Sequence, residues 1–390
     1  MDLDAKLDML ADAARFDVCN TFSQGGRRHT PKRASWVAPE SDEPGGRAKP
    51  VFRVLMSSAC VWNCAYCPLR AANDLPRATL APEELAASFL PRHAAGAVQG
   101  LFVSTAVSGG VNAAVGQMLD GVEHLRVQHQ YTGYVHVKLL PGTSAGDVER
   151  AARLADRISL NLEAPGPEFL ARISPERSWG QDLVERLRWA RDWQQAGKIG
   201  SGLATQFVVG AGGERDRDLL GAGSWLYSDL GLRRVYFGAF RPLAGTPLEG
   251  AERTPQARVL HLQQADWLLR QYGFHQAELP YDAGGDLPLH LDPKLAWALA
   301  HPERFPVELN SAGPEQLLRI PGIGPVSVER ILRLRRLHPF RDLEHLKALG
   351  PQANKARDFV TLDGRFFGRP RAALERAYAP RPVAEQLTLW

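Results

Sequence analysis

The chain has 390 residues, 44% hydrophobic and 23% charged, the balance of a globular protein long enough for two domains or one large domain with appendages. No apolar run approaches the ~20 residues that span a bilayer, and the acidic opening MDLDAKLDMLADAARFD has no signal-peptide pattern, so a cytoplasmic protein without a membrane partner is expected. The net charge of +4 is uneven: positions 310–376 hold 13 Lys and Arg against 7 Asp and Glu, which suits either a polyanion-binding module or a solvated surface.

In chain order, residues 1–50 read as a helix over 3–16 followed by an irregular arm rich in Gly, Pro, Ser and Arg. From 51 to 275 six strand-like runs alternate with helical patterns: VFRVLMS, GLFVSTA, YVHVKLL, RISLNLE, GLATQFVVG and RRVYFGAF. Six βα repeats imply a parallel sheet with right-handed crossovers, too short for an eight-stranded barrel. An open, partial (βα)6 barrel is the expected α/β fold. Within the strands the period of two sets apolar side chains against a polar row: His136, Lys138, Ser159, Asn161, Glu163, Gln206 and Tyr236. Helices cover the outside of such a sheet, so the polar row points inward, and a polar interior is costly unless it holds something. Residues 276–305 read as a Pro- and Gly-interrupted connector, 306–365 as a small all-α module and 366–390 as a tail.

Three of the four cysteines, Cys60, Cys64 and Cys67, stand in ACVWNCAYCPLR with C-x3-C-x2-C spacing, directly after the first strand of the barrel. Thiolates bind zinc or iron–sulfur clusters. Zinc would need a fourth ligand, Cys19 or a distant His. A four-iron cluster on three thiolates leaves one iron open for a ligand. VVGAGG lacks the GK[ST] of a phosphate-binding loop, which excludes a nucleotide-triphosphate site of that type.

With Tyr66 preceding the last cysteine, the motif at the end of the first strand of a (βα)6 barrel resembles the radical S-adenosylmethionine superfamily. The resemblance implies a [4Fe–4S] cluster on Cys60, Cys64 and Cys67, S-adenosylmethionine chelated to the open iron, an electron donor, and a 5′-deoxyadenosyl radical that abstracts hydrogen from substrate. It further implies cofactor contacts from Tyr66, Ser108, Gly109, Gly110, Lys138, Asn161, Glu163, Gln206 and Tyr236. After Gly110 the superfamily's acidic residue is replaced by Val111, so backbone carbonyls must serve.

LLRIPGIGPVSVERILRLRR is a helix-hairpin-helix pattern: two helices flank Pro-Gly-Ile-Gly, and Pro325 suits a first helical turn. Gly322, Ile323, Gly324 and Val326 would meet a nucleic-acid backbone through main-chain N–H groups, with Arg319, Arg330 and Arg333 neutralising phosphates. A helical module for protein contact is the alternative. Together with YTGYVHVKLLPG, DRISLNLE, ATQFVVGA and DPKLAWAL, the two motifs resemble a radical S-adenosylmethionine family associated with DNA modification or repair, often encoded beside a uracil-DNA-glycosylase-like protein. That resemblance implies chemistry on DNA and such a glycosylase-like partner. RNA chemistry and a non-catalytic iron–sulfur DNA-binding adaptor are the rivals. Cys19 is a candidate hydrogen donor, ligand or plain buried residue. The last residues, Gln386, Leu387, Leu389 and Trp390 of QLTLW, resemble the pentapeptide that docks bacterial sliding clamps.

Overall fold

The computed structural model describes residues 1–14, 36–40 and 49–379. The chain divides into two compact units, Met1–Val259 and Leu260–Trp390.

The first unit is a seven-stranded sheet in strictly sequential order: β1 (Val37–Glu40), β2 (Lys49–Leu55), β3 (Gly100–Ser104), β4 (Tyr134–Leu139), β5 (Arg157–Leu160), β6 (Gly202–Val209) and β7 (Arg234–Ala239). The six expected strands, β2 to β7, run parallel, and sequential order follows when every strand is joined to its neighbour by a helical crossover. Their helices are α1 (Leu3–Ala13), which precedes the sheet, then α2 (Pro82–Ala94), α3 (Val111–Val127), α4 (Ala145–Leu154), α5 (Pro167–Ile173), α6 (Glu185–Gln195), α7 (Asp216–Ser228) and α8 (Gln256–Gln271), the last continuing into the second unit. Local chemistry sets the ends. Ser144 accepts from the Asp147 amide to start α4, and Gly110 enters α3 at a positive φ of 107°. β3 is buried along its whole length, as a central parallel strand covered on both faces must be.

The arm expected over residues 1–50 contains a strand. β1 pairs antiparallel with β2 and places Pro39 opposite Pro50, a position open to proline because β1 is an edge. It carries Glu40 into the sheet's interior. There Glu40 accepts from Tyr134 Oη at 2.8 Å, lies 2.7 Å from His136 Nδ1 and pairs with Arg157 at 3.4 Å. His136 Nε2 meets Ser159 Oγ at 2.8 Å, and Arg157 reaches Tyr236 Oη at 3.5 Å. The inward polar row is thus partly a self-satisfied structural network.

In the second unit, helices α9 (Pro293–Ala300), α10 (Pro314–Arg319), α11 (Pro325–Leu334), α12 (Glu344–Lys347) and α13 (Arg371–Tyr378) surround a buried aromatic group centred on Trp297. The expectation of an all-α module is corrected: β8 (Val307–Glu308), β9 (Val360–Leu362) and β10 (Arg365–Phe366) form a small sheet in the order β10-β9-β8. Strands of two or three residues are too short for any alternation to show in a sequence. Residues 276–305, expected as a connector, lie within this unit. Asp292 caps α9, and Trp297 stacks on His301 at 4.5 Å.

Candidate active site

A cavity of about 710 Å³ opens at the carboxyl ends of the parallel strands. This is where loops leave such a sheet and where backbone groups are free to meet a ligand. Its wall takes residues from the ends of β2, β4, β6 and β7 and from the loops after β2, β3 and β5. The loop after β2 brings Cys60, Cys64 and Cys67, all free thiols, into that wall.

The cysteine loop is held from both sides. Arg77 donates to four of its carbonyls, Ser58, Leu69, Arg70 and Asn73, at 2.7–2.9 Å. The segment after α5 fastens its middle: the Ala65 amide donates to Ile173, the Asn63 amide to Glu176, and Cys64 Sγ lies 3.4 Å from Ser174 Oγ. Arg177 completes the set. Its guanidinium donates to Cys64 Sγ at 3.0 Å, lies 3.8 Å from Glu163 and stacks over Trp62 at 4.7 Å.

Burial pushes the Cys64 thiol up, with Arg177 opposing. Burial and the neighbouring Cys64 push Cys67 up to about 12. Tyr66 is raised well above the ordinary phenol range, first by burial and then by Glu163. Burial works against the charge of Arg177, but Tyr66, Cys64 and Glu163 outweigh it and hold the guanidinium protonated. A metal taken up here must displace thiol protons.

Of the expected cofactor contacts, Tyr66, Lys138, Asn161, Glu163 and Gln206 line this cavity with the cysteines. Ser108, Gly109 and Gly110 do not. The lining at β3 comes from Thr105, Ala106 and Val107, while Ser108–Gly110 form the turn into α3. Tyr236 is also absent from the wall. It sits deeper, with Arg157 and under Arg234 at 5.2 Å, because it stands two residues further from the carboxyl end of β7 than Gly238. Its strand neighbour Gly238 lines the cavity instead, and a Cβ there would stand 3.1 Å from Gln206 Nε2.

Two observations bear on what the cavity holds. Gln206 Oε1 and Arg177 Nε are buried in its wall without a hydrogen-bond partner, which marks polar atoms shaped for a ligand. Glu163 has φ +65°, a left-handed conformation that an L-residue keeps only where the surroundings demand it. Among the described residues, no three or more His, Cys, Asp or Glu side chains converge on a single-ion site. Three thiols on one loop can hold a four-iron cluster that leaves one iron open.

Arg177 and Arg77 carry no signal in a single sequence, since each stands in a loop with neither motif nor period, and Trp62 occupies an unspecified position inside the cysteine motif. Cys19 and the pentapeptide Gln386, Leu387, Leu389 and Trp390 lie outside the described residues.

In the second unit, α10 and α11 are joined by a turn in which Gly322 has φ +83°. A Cβ there would meet the Gln352 carbonyl oxygen at 2.3 Å. Buried Lys294, packed over the Tyr272 ring at 4.5 Å, donates to the Ile323 carbonyl, and Ile323 itself is buried. Val326 and Arg333 are exposed on α11, and half-buried Arg330 donates to the Ala348 carbonyl at 2.8 Å. Arg319 is engaged within its own unit. Its guanidinium lies 3.8 Å from the Phe274 ring, donates to the Gly273 carbonyl and pairs with Glu278 at 3.1 Å, so it is a structural cation of its own unit.

The backbone is similar to that of methylornithine synthase (PylB), with 15% identity over 54% of this chain and 61% of that one, at a TM-score of 0.45. It is also similar to the [FeFe]-hydrogenase maturase HydG from Carboxydothermus hydrogenoformans, with 14% identity over 56% and 50% of the two chains and a TM-score of 0.43. A third similar structure is the radical S-adenosylmethionine methyltransferase TsrM from Kitasatospora setae, solved with cobalamin and a [4Fe–4S] cluster. It shows 12% identity over 84% of this chain and 67% of that one, at a TM-score of 0.44. The chain thus spans half to two thirds of the length of the first two. No protein-family model and no curated protein matches it. No helix among the described residues is long and apolar enough to cross a membrane.

Proposed function

We propose that the chain is a radical S-adenosylmethionine enzyme whose substrate is nucleic acid, with repair or modification of a DNA base as the leading reading. The observation that carries it is the meeting of Cys60, Cys64 and Cys67 with Asn161, Glu163 and Gln206 in one cavity at the strands' carboxyl ends. The three thiols would hold a [4Fe–4S] cluster. Bound there with S-adenosylmethionine, it would supply one-electron cleavage of the sulfonium and so hydrogen-atom abstraction from substrate. The residues of this chain do the rest. Arg77 and the segment 173–177 fix the thiols, Arg177 balances their negative charge, and Glu163 and Gln206 offer acceptors to the cofactor's ammonium and hydroxyl groups.

The nucleic-acid part rests on the α10–α11 turn. Gly322 lets the backbone fold tightly, and Val326 and Arg333 stand exposed beside it, as backbone recognition without base reading requires. Such contacts do not discriminate DNA from RNA.

The test is anaerobic reconstitution with iron and sulfide, reduction, and quantification of 5′-deoxyadenosine with and without damaged duplex DNA or RNA. Cleavage lost in Cys64→Ala and stimulated by DNA is expected. Stimulation by RNA alone moves the substrate class. No cleavage from a protein that still binds DNA leaves the adaptor reading.

A further inference from the structure

The cavity wall is more cationic than the cofactor needs. Arg70, Lys138, Arg177 and Arg241 line it against a single carboxylate, Glu163. Arg177 is matched by Glu163 and the Cys64 sulfur. S-adenosylmethionine adds two positive centres and one carboxylate, which offsets the negative charge of a cluster on three thiolates, so the surplus stays in place. Arg70 and Arg241 make up that surplus. Neither has an ion-pair partner among the described residues, Arg70 Nε is buried without a hydrogen bond, and Arg241 is exposed.

The two reach one cavity from opposite ends of the sheet, Arg70 on the cysteine loop after β2 and Arg241 on the loop after β7. A guanidinium is planar and permanently charged, and its fork matches two oxygens of a phosphate. Two such groups facing one cleft without a counter-charge attract an anion more strongly than either does alone.

We infer that Arg70 and Arg241 seat a phosphate group of the substrate at the cavity mouth, so that the group undergoing chemistry is presented as part of a phosphorylated nucleotide rather than as a neutral base or nucleoside. The inference rests on the proposed reaction for what happens in the cavity, but not for whether a phosphate binds there. Two sources share this chemistry, a phosphodiester within a strand and a free nucleotide.

The probe is a 2′-deoxynucleoside 5′-monophosphate, titrated calorimetrically into the reconstituted full-length protein saturated with S-adenosylmethionine. The matching nucleoside and a short single-stranded oligonucleotide are titrated in parallel. The monophosphate should bind at least tenfold more tightly than the nucleoside, and Arg70→Gln and Arg241→Gln should each weaken it about tenfold, the size expected of a lost charged hydrogen bond. Because Arg241 is exposed, its variant keeps the test decisive if Arg70→Gln does not fold. Equal binding of nucleoside and monophosphate, or wild-type affinity in Arg241→Gln, overturns the seat. Oligonucleotide binding with the same arginine dependence assigns the phosphate to a strand, and its absence assigns it to a free nucleotide. 5′-Deoxyadenosine is assayed separately. Arginine-dependent phosphate binding without cofactor cleavage removes the radical reaction and keeps the seat. Cleavage with arginine-independent binding does the reverse.

Discussion

Glu163 and Glu40 are two buried carboxylates with different duties. Glu163 holds its side chain in the cavity at the expense of a left-handed backbone, a conformation that costs an L-residue about 1–2 kcal/mol. Replacing it by Gly and by Ala removes the carboxylate in both cases but relieves the backbone only with Gly. Glu163→Gly should therefore be the more stable of the two by about 1 kcal/mol in thermal unfolding of the cluster-free protein. Equal stability would show that this φ relaxes once the carboxylate is gone and stores no strain. At Glu40 burial alone would raise the carboxyl, but the charge and hydrogen bond of His136, with Arg157 and Tyr134, hold it below the usual carboxylate value. A depressed folded value means the stabilisation is present above the ordinary carboxylate range and is lost as pH falls through the folded one. Glu40→Gln should lose about 1–3 kcal/mol at neutral pH, because the buried carboxylate that Tyr134, His136 and Arg157 meet is gone. Its stability should also decline less on acidification than that of the wild type, as read by denaturant titration across pH. A parallel decline would place the acid sensitivity elsewhere.

At the scale of elements, the parallel strands were legible because each is an apolar strand-like run, some of them alternating, followed by a helical pattern. β1 was not, because Pro39 breaks a four-residue strand embedded in a Gly- and Pro-rich arm. The cysteine loop announced itself by spacing, but its clamps did not: Arg77 acts on carbonyls, which leave no trace in side-chain pattern. Ser108–Gly110 were placed in the site by resemblance and Tyr236 by its face, whereas depth along the strand decides which end of the barrel a side chain reaches. The α10–α11 turn was readable because glycine has a backbone reason there. Gly322→Ala meets both a positive φ and the Gln352 carbonyl, while a Cβ at Gly324 would meet only the movable hydroxyl end of Tyr272, at 2.8 Å. Gly322→Ala should thus lower stability by more than about 1 kcal/mol and weaken nucleic-acid binding, and Gly324→Ala should do much less of the former. Comparable losses in unfolding experiments would mean that the close approach at Gly322 is not limiting.

For the whole molecule, the proposed division of labour is electrostatic as well as chemical. Exposed Arg333 lies far in sequence from the cavity residues, so it should contribute to affinity without touching reaction. Arg333→Gln should weaken binding evenly across sequences and reduce the slope of log affinity against log salt by about 1, the signature of a single phosphate contact. A sequence-dependent loss at unchanged slope, measured by fluorescence anisotropy at several salt concentrations, would instead make it a base-reading residue.

The link between Glu40 and Arg157 also has a consequence for synthesis. The two residues are separated by 117 positions. At about 5–20 residues per second, the ribosome takes roughly 6–23 s to make the stretch between them. For that interval β1 carries an acidic residue destined for a buried site whose arginine does not yet exist. The first strand of the sheet to be made is therefore not fully locked until β5 has followed, and a nascent chain halted before residue 157 would carry β1 without the arginine it binds.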